Sequence, residues 1–185
     1  MGQLIYFALF VLAAARGAVC QKGFLSIDCG LDDNSSGYTN PYGITYVPDG
    51  SYVDGGENHR VAADQESRLS RRFQTLRSFP SGERNCYALP TVAGAKYLVR
   101  VTSIYGNYDG KNSPSALHFD LYLGVNFWDT VYADRNQLYE ALFVAWASWV
   151  PVCLVKTGPG IPFVNVVELR TLGSELYPDL TADES

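Results

Sequence analysis

From residue 24 onward, apolar residues recur at every second position in short runs, and each run stops at Gly, Pro, Asn or Asp. A two-residue period sends successive side chains to opposite faces of a pleated strand, so the pattern predicts β structure with one face packed. Leu25, Ile27 and Cys29 alternate with Ser26 and Asp28, which predicts a half-buried strand. Tyr97, Val99 and Val101 face one way, and Leu98, Arg100 and Thr102 the other. Phe119, Leu121, Leu123 and Val125 repeat the pattern against Asp120, Tyr122 and Gly124. Further strands are expected over 84–89, 129–132, 140–148, 150–156 and 163–169, with a short extended piece over 77–79 before the turn Pro80-Ser81-Gly82. Residues 138–147 also suit a helix by composition, capped by Asp134-Arg135-Asn136. Strand is the preferred reading, because Trp146, Trp149 and Val150 carry the apolar pattern into Pro151 without a helix stop.

Residues 30–56 are rich in Gly, Asn, Asp, Pro and Tyr and read as a long loop with extended pieces at 46–47 and 51–53. Tyr38, Tyr42, Tyr46 and Tyr52 are expected to pack this loop onto the body. Residues 57–72 are polar and predict a second loop with a helical turn. Strands that follow one another without intervening helices point to an all-β fold, an antiparallel β-sandwich with a long N-terminal loop region.

Composition changes this picture only at the ends of the chain. With 47% hydrophobic and 18% charged residues among 185, the chain is globular. The net charge of −5 excludes nucleic acid as a partner, since a polyphosphate needs clustered Lys and Arg. Residues 4–15 form an unbroken apolar run. Spanning a bilayer takes about 20 residues, so the run reads instead as the core of a secretory signal peptide over 1–20. Ala18-Val19-Cys20 supplies the cleavage box, and no Lys or Arg precedes the run, so an uncleaved membrane anchor is the alternative. The domain then covers 21–178, residues 179–185 form a disordered acidic tail, and the location is secreted or the outer face of the plasma membrane. Removal of Cys20 leaves Cys29, Cys86 and Cys153, an odd number among which the sequence selects no pair. None has metal-ligand spacing, so no metal is expected. Asn34-Ser35-Ser36 is a glycosylation sequon in a polar loop.

Nothing points to catalysis or to a cofactor. His59 and His118 have no nucleophile or carboxylate at a spacing that forms a triad or a glycosidase pair. Gly158-Pro159-Gly160 lacks the strand-to-helix setting of a nucleotide loop. Binding is a better match: flat aromatic faces and planar polar groups on loops suit sugars. Tyr105, Asn107, Tyr108 and Asp109 gather such groups in one turn, and Asn126, Phe127 and Trp128 form a second candidate. Arg68, Arg71 and Arg72 suit a carboxylate ligand such as an acidic sugar; the plainer expectation is a solvated face paired with Asp64 and Glu66.

An ordered series of motifs adds a resemblance. Gly23-Phe24-Leu25-Ser26-Ile27-Asp28-Cys29-Gly30 is followed by Tyr42-Gly43-Ile44-Thr45-Tyr46, Tyr52-Val53-Asp54-Gly55-Gly56, Leu76-Arg77-Ser78-Phe79-Pro80 and Arg84-Asn85-Cys86-Tyr87. Then come Tyr97-Leu98-Val99-Arg100, Tyr105-Gly106-Asn107-Tyr108-Asp109-Gly110, Phe119-Asp120-Leu121-Tyr122-Leu123-Gly124-Val125-Asn126-Phe127-Trp128, Val152-Cys153-Leu154-Val155-Lys156-Thr157-Gly158 and Val167-Glu168-Leu169-Arg170. Over 23–178 the set resembles the N-terminal half of the malectin-like domain of plant receptor-like kinases. The resemblance implies a malectin-type, jelly-roll-like sandwich and an extracellular carbohydrate-binding module, with a cell-wall glycan as ligand. The alternative is a protein- or peptide-interaction ectodomain whose partner is a peptide or co-receptor. The usual family member continues into a second module, leucine-rich repeats, a membrane helix and a kinase, so a truncated ectodomain is the expectation for a chain of this length. Membrane association is then expected only through a retained N-terminal segment or a partner.

Overall fold

The computed structural model describes residues 23–135 and 137–181. The expected signal segment over 1–20 and part of the expected tail lie outside the described residues. Strands are numbered in chain order. One sheet has the order β10 (Gln137–Val144), β7 (Lys96–Ser103), β13 (Val166–Thr171), β1 (Phe24–Asp28), β3 (Thr45–Pro48), β2 (Tyr38–Thr39). A second has the order β6 (Arg84–Pro90), β11 (Trp149–Val155), β8 (His118–Leu123), β9 (Asn126–Tyr132). A small third sheet orders β12 (Phe163–Val164), β5 (Thr75–Ser78) and β4 (Glu57–Arg60). One short helix, α1 (Ala63–Glu66), and 3-10 turns at Arg71–Phe73 and Pro114–Ala116 complete the described elements.

The sequence alternation builds the core directly. Tyr97, Val99, Val101, Phe143, Val167 and Leu169 point inward from the large sheet. Tyr87, Leu89, Phe119, Leu121, Val152 and Leu154 meet them from the four-stranded sheet. Each such side chain contributes about 1.5–3 kcal/mol by leaving water. Segment 138–147, ambiguous by composition, enters the large sheet as β10 and pairs with β7 from Gln137↔Ser103 to Val144↔Lys96. Cys86 and Cys153 lie opposite each other on β6 and β11 and form a disulfide, and Cys29 is buried as a free thiol.

Several expectations need correction. β1 is not half-buried: Ser26 and Asp28 are buried as well, because β1 sits between β13 and β3 and its second face is covered. The sandwich is not wholly antiparallel, since β1 and β3 run parallel through Ile27↔Val47 and Asp28↔Pro48. The run 163–169 splits at buried Asn165, which carries the chain from the small sheet to the large one. The Asn165 side chain satisfies this break: Oδ1 accepts from the Ile104 amide at 2.6 Å and Nδ2 donates to the Thr75 carbonyl at 2.9 Å. The polar loop over 57–72 yields its helical turn and also the strand β4, whereas 51–53 is a turn. Tyr46 is fully buried as expected, but Tyr42 is 89% exposed.

The long loop is fixed by one buried ion pair. Asp49 is 0% exposed and Arg77, on β5, 7%. Arg77 donates through Nε to Asp49 Oδ2 at 2.6 Å and through Nη2 to Oδ1 at 2.8 Å. Tyr87 donates to the same Oδ2 at 2.8 Å, and the Gly30 amide to Oδ1 at 3.3 Å. Arg77 Nη1 reaches the Gly55 carbonyl at 2.9 Å, tying both ends of the loop to the sandwich. The hydrogen bonds that it donates to Asp49 hold the Arg77 guanidinium well above its ordinary value. Removing one partner of such a pair strands the other charge. Asp49→Ala is expected to lower unfolding free energy by about 3–5 kcal/mol in a denaturant titration. Arg77→Ala should fall in the same range, and the double variant should lose much less than the sum.

Candidate functional site

The alternation that fills the core also dictates what the four-stranded sheet shows to solvent. On β11, Val150, Val152 and Leu154 point in, so Trp149, Pro151 and Cys153 lie on the outer face. Val125 in the β8–β9 turn and Trp146 after β10 extend this surface. Trp146 is 48% exposed, Trp149 53%, Phe127 57% and Val125 86%, so these large side chains are spent on surface and not on core. Between Val125 and the two indoles runs an open groove of about 710 Å³ lined by Arg84, Val125, Asn126, Trp146, Trp149 and the Cys86–Cys153 disulfide.

The groove is held by local geometry. The β8–β9 hairpin turns through Gly124 at φ +63, an angle that other residues rarely adopt. A Cβ there would also come within 2.8 Å of Trp146 Cζ2, so the absent side chain is what lets the indole lie across the turn. Arg84 donates to the Gly124 carbonyl and places its guanidinium 5.0 Å from the Tyr122 ring centroid. Tyr122 in turn meets Phe127 edge to face at 5.8 Å.

Of the residues singled out in the sequence, Asn126 and Phe127 belong to this face. Trp128 does not: a register shift in the β8–β9 pairing turns it toward the core, where its Nε1 donates to the Glu140 carbonyl at 3.3 Å. The turn Tyr105, Asn107, Tyr108 and Asp109 lies elsewhere and is satisfied from within. The Tyr105 ring is buried against Phe163, and Tyr108 packs on Tyr105, Phe163 and His59. Asp109 accepts from the Tyr105 hydroxyl and from the Lys111 amide, and Asn107, at φ +51, accepts from the Asn112 amide at 2.9 Å. Burial works to raise the Asp109 carboxyl, but bonds from Tyr105 and Lys111 outweigh it and hold it below the usual range. Burial, reinforced by Asp109, pushes the Tyr105 hydroxyl up to about 12. The Trp146 and Trp149 surface is not legible as a site in the sequence, because their spacing reads as strand continuation and Gly124, which makes room for the Trp146 indole, lies far from them along the chain.

The expected pairing of Arg68, Arg71 and Arg72 with Asp64 and Glu66 is absent among the described residues. Glu66 is taken by Arg60 at 2.7 Å. Arg71 instead lies 3.7 Å over the Tyr38 ring, and Arg72 donates to the Tyr46 hydroxyl at 3.1 Å. Tyr38 donates to Asp28 Oδ2 and Thr75 to Oδ1, each at 2.7 Å. Burial raises the Asp28 carboxyl to about 6, against the lowering effect of those two bonds and of Arg71, with buried Asp49 adding to the rise.

No group of three or more potential metal ligands occurs among the described residues, and no described helix is long and apolar enough to cross a membrane. Residues 27–185 match the malectin-like domain. The chain belongs to the malectin-like domain family. This malectin-like module is 43% identical over 156 residues to a probable LRR receptor-like serine/threonine-protein kinase of Arabidopsis thaliana, covering 84% of this chain and 18% of that protein. It therefore spans about a fifth of that relative's length, and the fold that its described residues form is a sandwich and not a kinase. Among solved structures, the plant receptor-like kinase FER superposes with a TM-score of 0.70 at 18% identity, over 83% of this chain and 43% of that one. FER in complex with the plant peptide RALF23 and LLG2 gives 0.62 at 17% identity, over 86% of this chain and 42% of that one.

The raised Asp28 carboxyl sets a pH dependence for the malectin-like module. A carboxyl whose folded value lies above its unfolded one takes up a proton on folding. Its contribution to stability is fully present below 3.8 and is lost as pH rises through about 6. Across that window, wild type minus Asp28→Asn in denaturant midpoint should fall with rising pH; a constant difference would contradict the assignment.

Proposed function

We propose that this malectin-like module is an extracellular protein-interaction unit whose contact surface is the tryptophan face of the four-stranded sheet. One observation carries the reading: Trp146, Trp149 and Val125 are exposed together around one groove that Arg84 also lines, with exposed Phe127 on the same sheet. Exposed apolar surface costs solubility, and contiguous patches of it mark interaction sites. Trp and Arg are also the residue types that dominate binding energy at protein interfaces. The FER complex with a peptide supports the reading from a neighbouring fold. Secretion through residues 1–20, a mature domain over 21–178 and glycosylation at Asn34 belong to the same proposal; Asn34 is exposed in its loop, as an acceptor must be.

A carbohydrate ligand is the second reading. It is favoured by the same two exposed indoles, which offer flat faces to a sugar ring. Against it stands the first aromatic candidate, since Tyr105 is spent on the core.

The two readings part in one experiment. Calorimetric titration of the secreted chain with RALF-type peptides should show binding that weakens about 30-fold or more in Trp146→Ala/Trp149→Ala, the loss expected of a central aromatic pair. Both rings are about half exposed, so near-ultraviolet dichroism of the variant should report an intact fold. Retention on a glycan array, lost in the same variant, with no peptide binding, returns the face to carbohydrate.

A further inference from the structure

The β2–β3 hairpin and the 3-10 turn at Arg71–Phe73 enclose a second pocket of about 410 Å³ that shares no lining residue with the tryptophan groove. Tyr38, Tyr42, Tyr46, Ser70, Arg71 and Arg72 line it. They form a layered stack: the Arg71 guanidinium sits 3.7 Å from the Tyr38 centroid, and Tyr38 lies on Tyr46 at 5.4 Å and 18°. The hairpin tip Asn40-Pro41-Tyr42-Gly43 is closed by a bond from the Gly43 amide to the Asn40 carbonyl, with Gly43 at φ +80. That turn presents Tyr42, 89% exposed, at the edge of the pocket.

Two features define what such a pocket accepts. First, neither Arg71 nor Arg72 has a carboxylate within 4.0 Å among the described residues. Glu168, which reaches Tyr46 at 3.2 Å, is already held by Arg100 at 3.2 Å and Arg170 at 2.7 Å. Asp28 lies below Tyr38, bonded to Tyr38 and Thr75. A guanidinium carries five donors, and Arg72 uses one of them on a neutral hydroxyl. In a chain of net charge −5, two arginines are thus oriented by aromatic contacts, and among the described residues neither guanidinium meets a carboxylate.

Second, β2 is the edge of the six-stranded sheet. Thr39 pairs with Thr45 between the pairs Tyr38↔Tyr46 and Asn40–Ile44, the latter closed by a bond from the Asn40 amide to the Ile44 carbonyl at 2.9 Å. Alternation along an antiparallel ladder therefore turns the Thr39 amide and carbonyl away from β3. An edge with free main-chain groups is a template for another backbone.

We infer that this pocket binds an extended acidic peptide, which adds beside β2 at Thr39 and places a carboxylate on Arg71 and Arg72. The main-chain edge is what favours a peptide over an acidic polysaccharide, for a sugar chain has no amide ladder to match it.

The test uses the secreted chain with three probes: a synthetic peptide alternating threonine and glutamate, its glutamine counterpart, and a uronic-acid oligosaccharide. Binding is read by calorimetry. The glutamate peptide should bind, and the glutamine peptide should bind about tenfold more weakly or worse, the loss expected of a charge-assisted contact. Arg71→Gln/Arg72→Gln should remove the difference between the two peptides. Thr39→Pro deletes only the outward amide of an edge strand, which tolerates proline, and should weaken both peptides. Trp146→Ala/Trp149→Ala should leave all of this unchanged, which separates the pocket from the proposed interaction face. Equal binding of the two peptides, or a Thr39→Pro chain that folds and binds as wild type, overturns the inference. Binding of the oligosaccharide alone, abolished by the arginine substitutions, overturns it in favour of a polysaccharide.

Discussion

The Asp49–Arg77 pair is the constraint on which the rest of this sandwich depends. The segment from Gly30 to Gly56 has too few apolar residues to hold itself, yet it must return the chain to the large sheet as β3 and then reach the small one as β4. Asp49 solves this by accepting from Arg77, Tyr87 and Gly30 at once, so one buried carboxylate joins the loop, β5 and β6. Burying two charges is expensive, and Coulomb attraction repays it only where the remaining donors and acceptors are also met. That condition holds: no buried side-chain polar atom lacks a partner among the described residues. With the loop pinned, β3 lies parallel to β1 and the β2–β3 hairpin is set at the sheet edge.

The two outer faces then acquire opposite characters. On the large sheet, Glu140, Arg100, Glu168 and Arg170 make a ladder of alternating charge across β10, β7 and β13, and Arg170 reaches Ser26 on β1 at 2.8 Å. Each charge of that ladder has its counter-charge, so this part of the sheet is neutralised internally, unlike the β2 edge, where Arg71 and Arg72 meet no carboxylate among the described residues. The outer face of the four-stranded sheet carries indoles, Phe127, Val125 and a disulfide, with Arg84 as the one cation among the described residues that line the groove. The charge ladder on one sheet and the exposed indoles on the other differ in what they can bind, and this difference supports an interaction role for the tryptophan face.

How much of this was legible in the sequence follows from the range of the forces involved. Two-residue alternation is local, so β7, β8 and β11 and their inward residues could be read directly from Tyr97, Phe119 and Val152 and their neighbours. The family resemblance rested on the same strands together with their turns. Contacts between distant segments were not legible. Asp49 looks like any loop aspartate until Arg77, 28 residues on, is folded against it. Asn165 interrupts an apolar run without a turn signal, because its side chain serves backbone groups 61 and 90 residues away. A related limit holds at the aromatic turn: composition gives the residue type but not which face of the Tyr105 ring the core will take. Tyr108 and Trp128 were likewise drawn inward, while Phe127, one position from Trp128, stayed out because the register shift separates them.

The Tyr38 stack shows how a buried group and a surface pocket become one unit. Asp28 lies beneath it, Tyr38 donates to Asp28, Arg71 covers Tyr38, and Arg72 reaches across to Tyr46. Proton uptake by Asp28 converts an acceptor of the Tyr38 hydroxyl into a group that can donate, and it removes a negative charge that attracts Arg71. With that charge gone, less of the Arg71 field is compensated from below and more is directed at the pocket mouth. The effect on an anion at Arg71 is attractive and grows as Asp28 fills with protons, so the buried carboxyl and the outer guanidinium are coupled electrostatically across the Tyr38 ring between them.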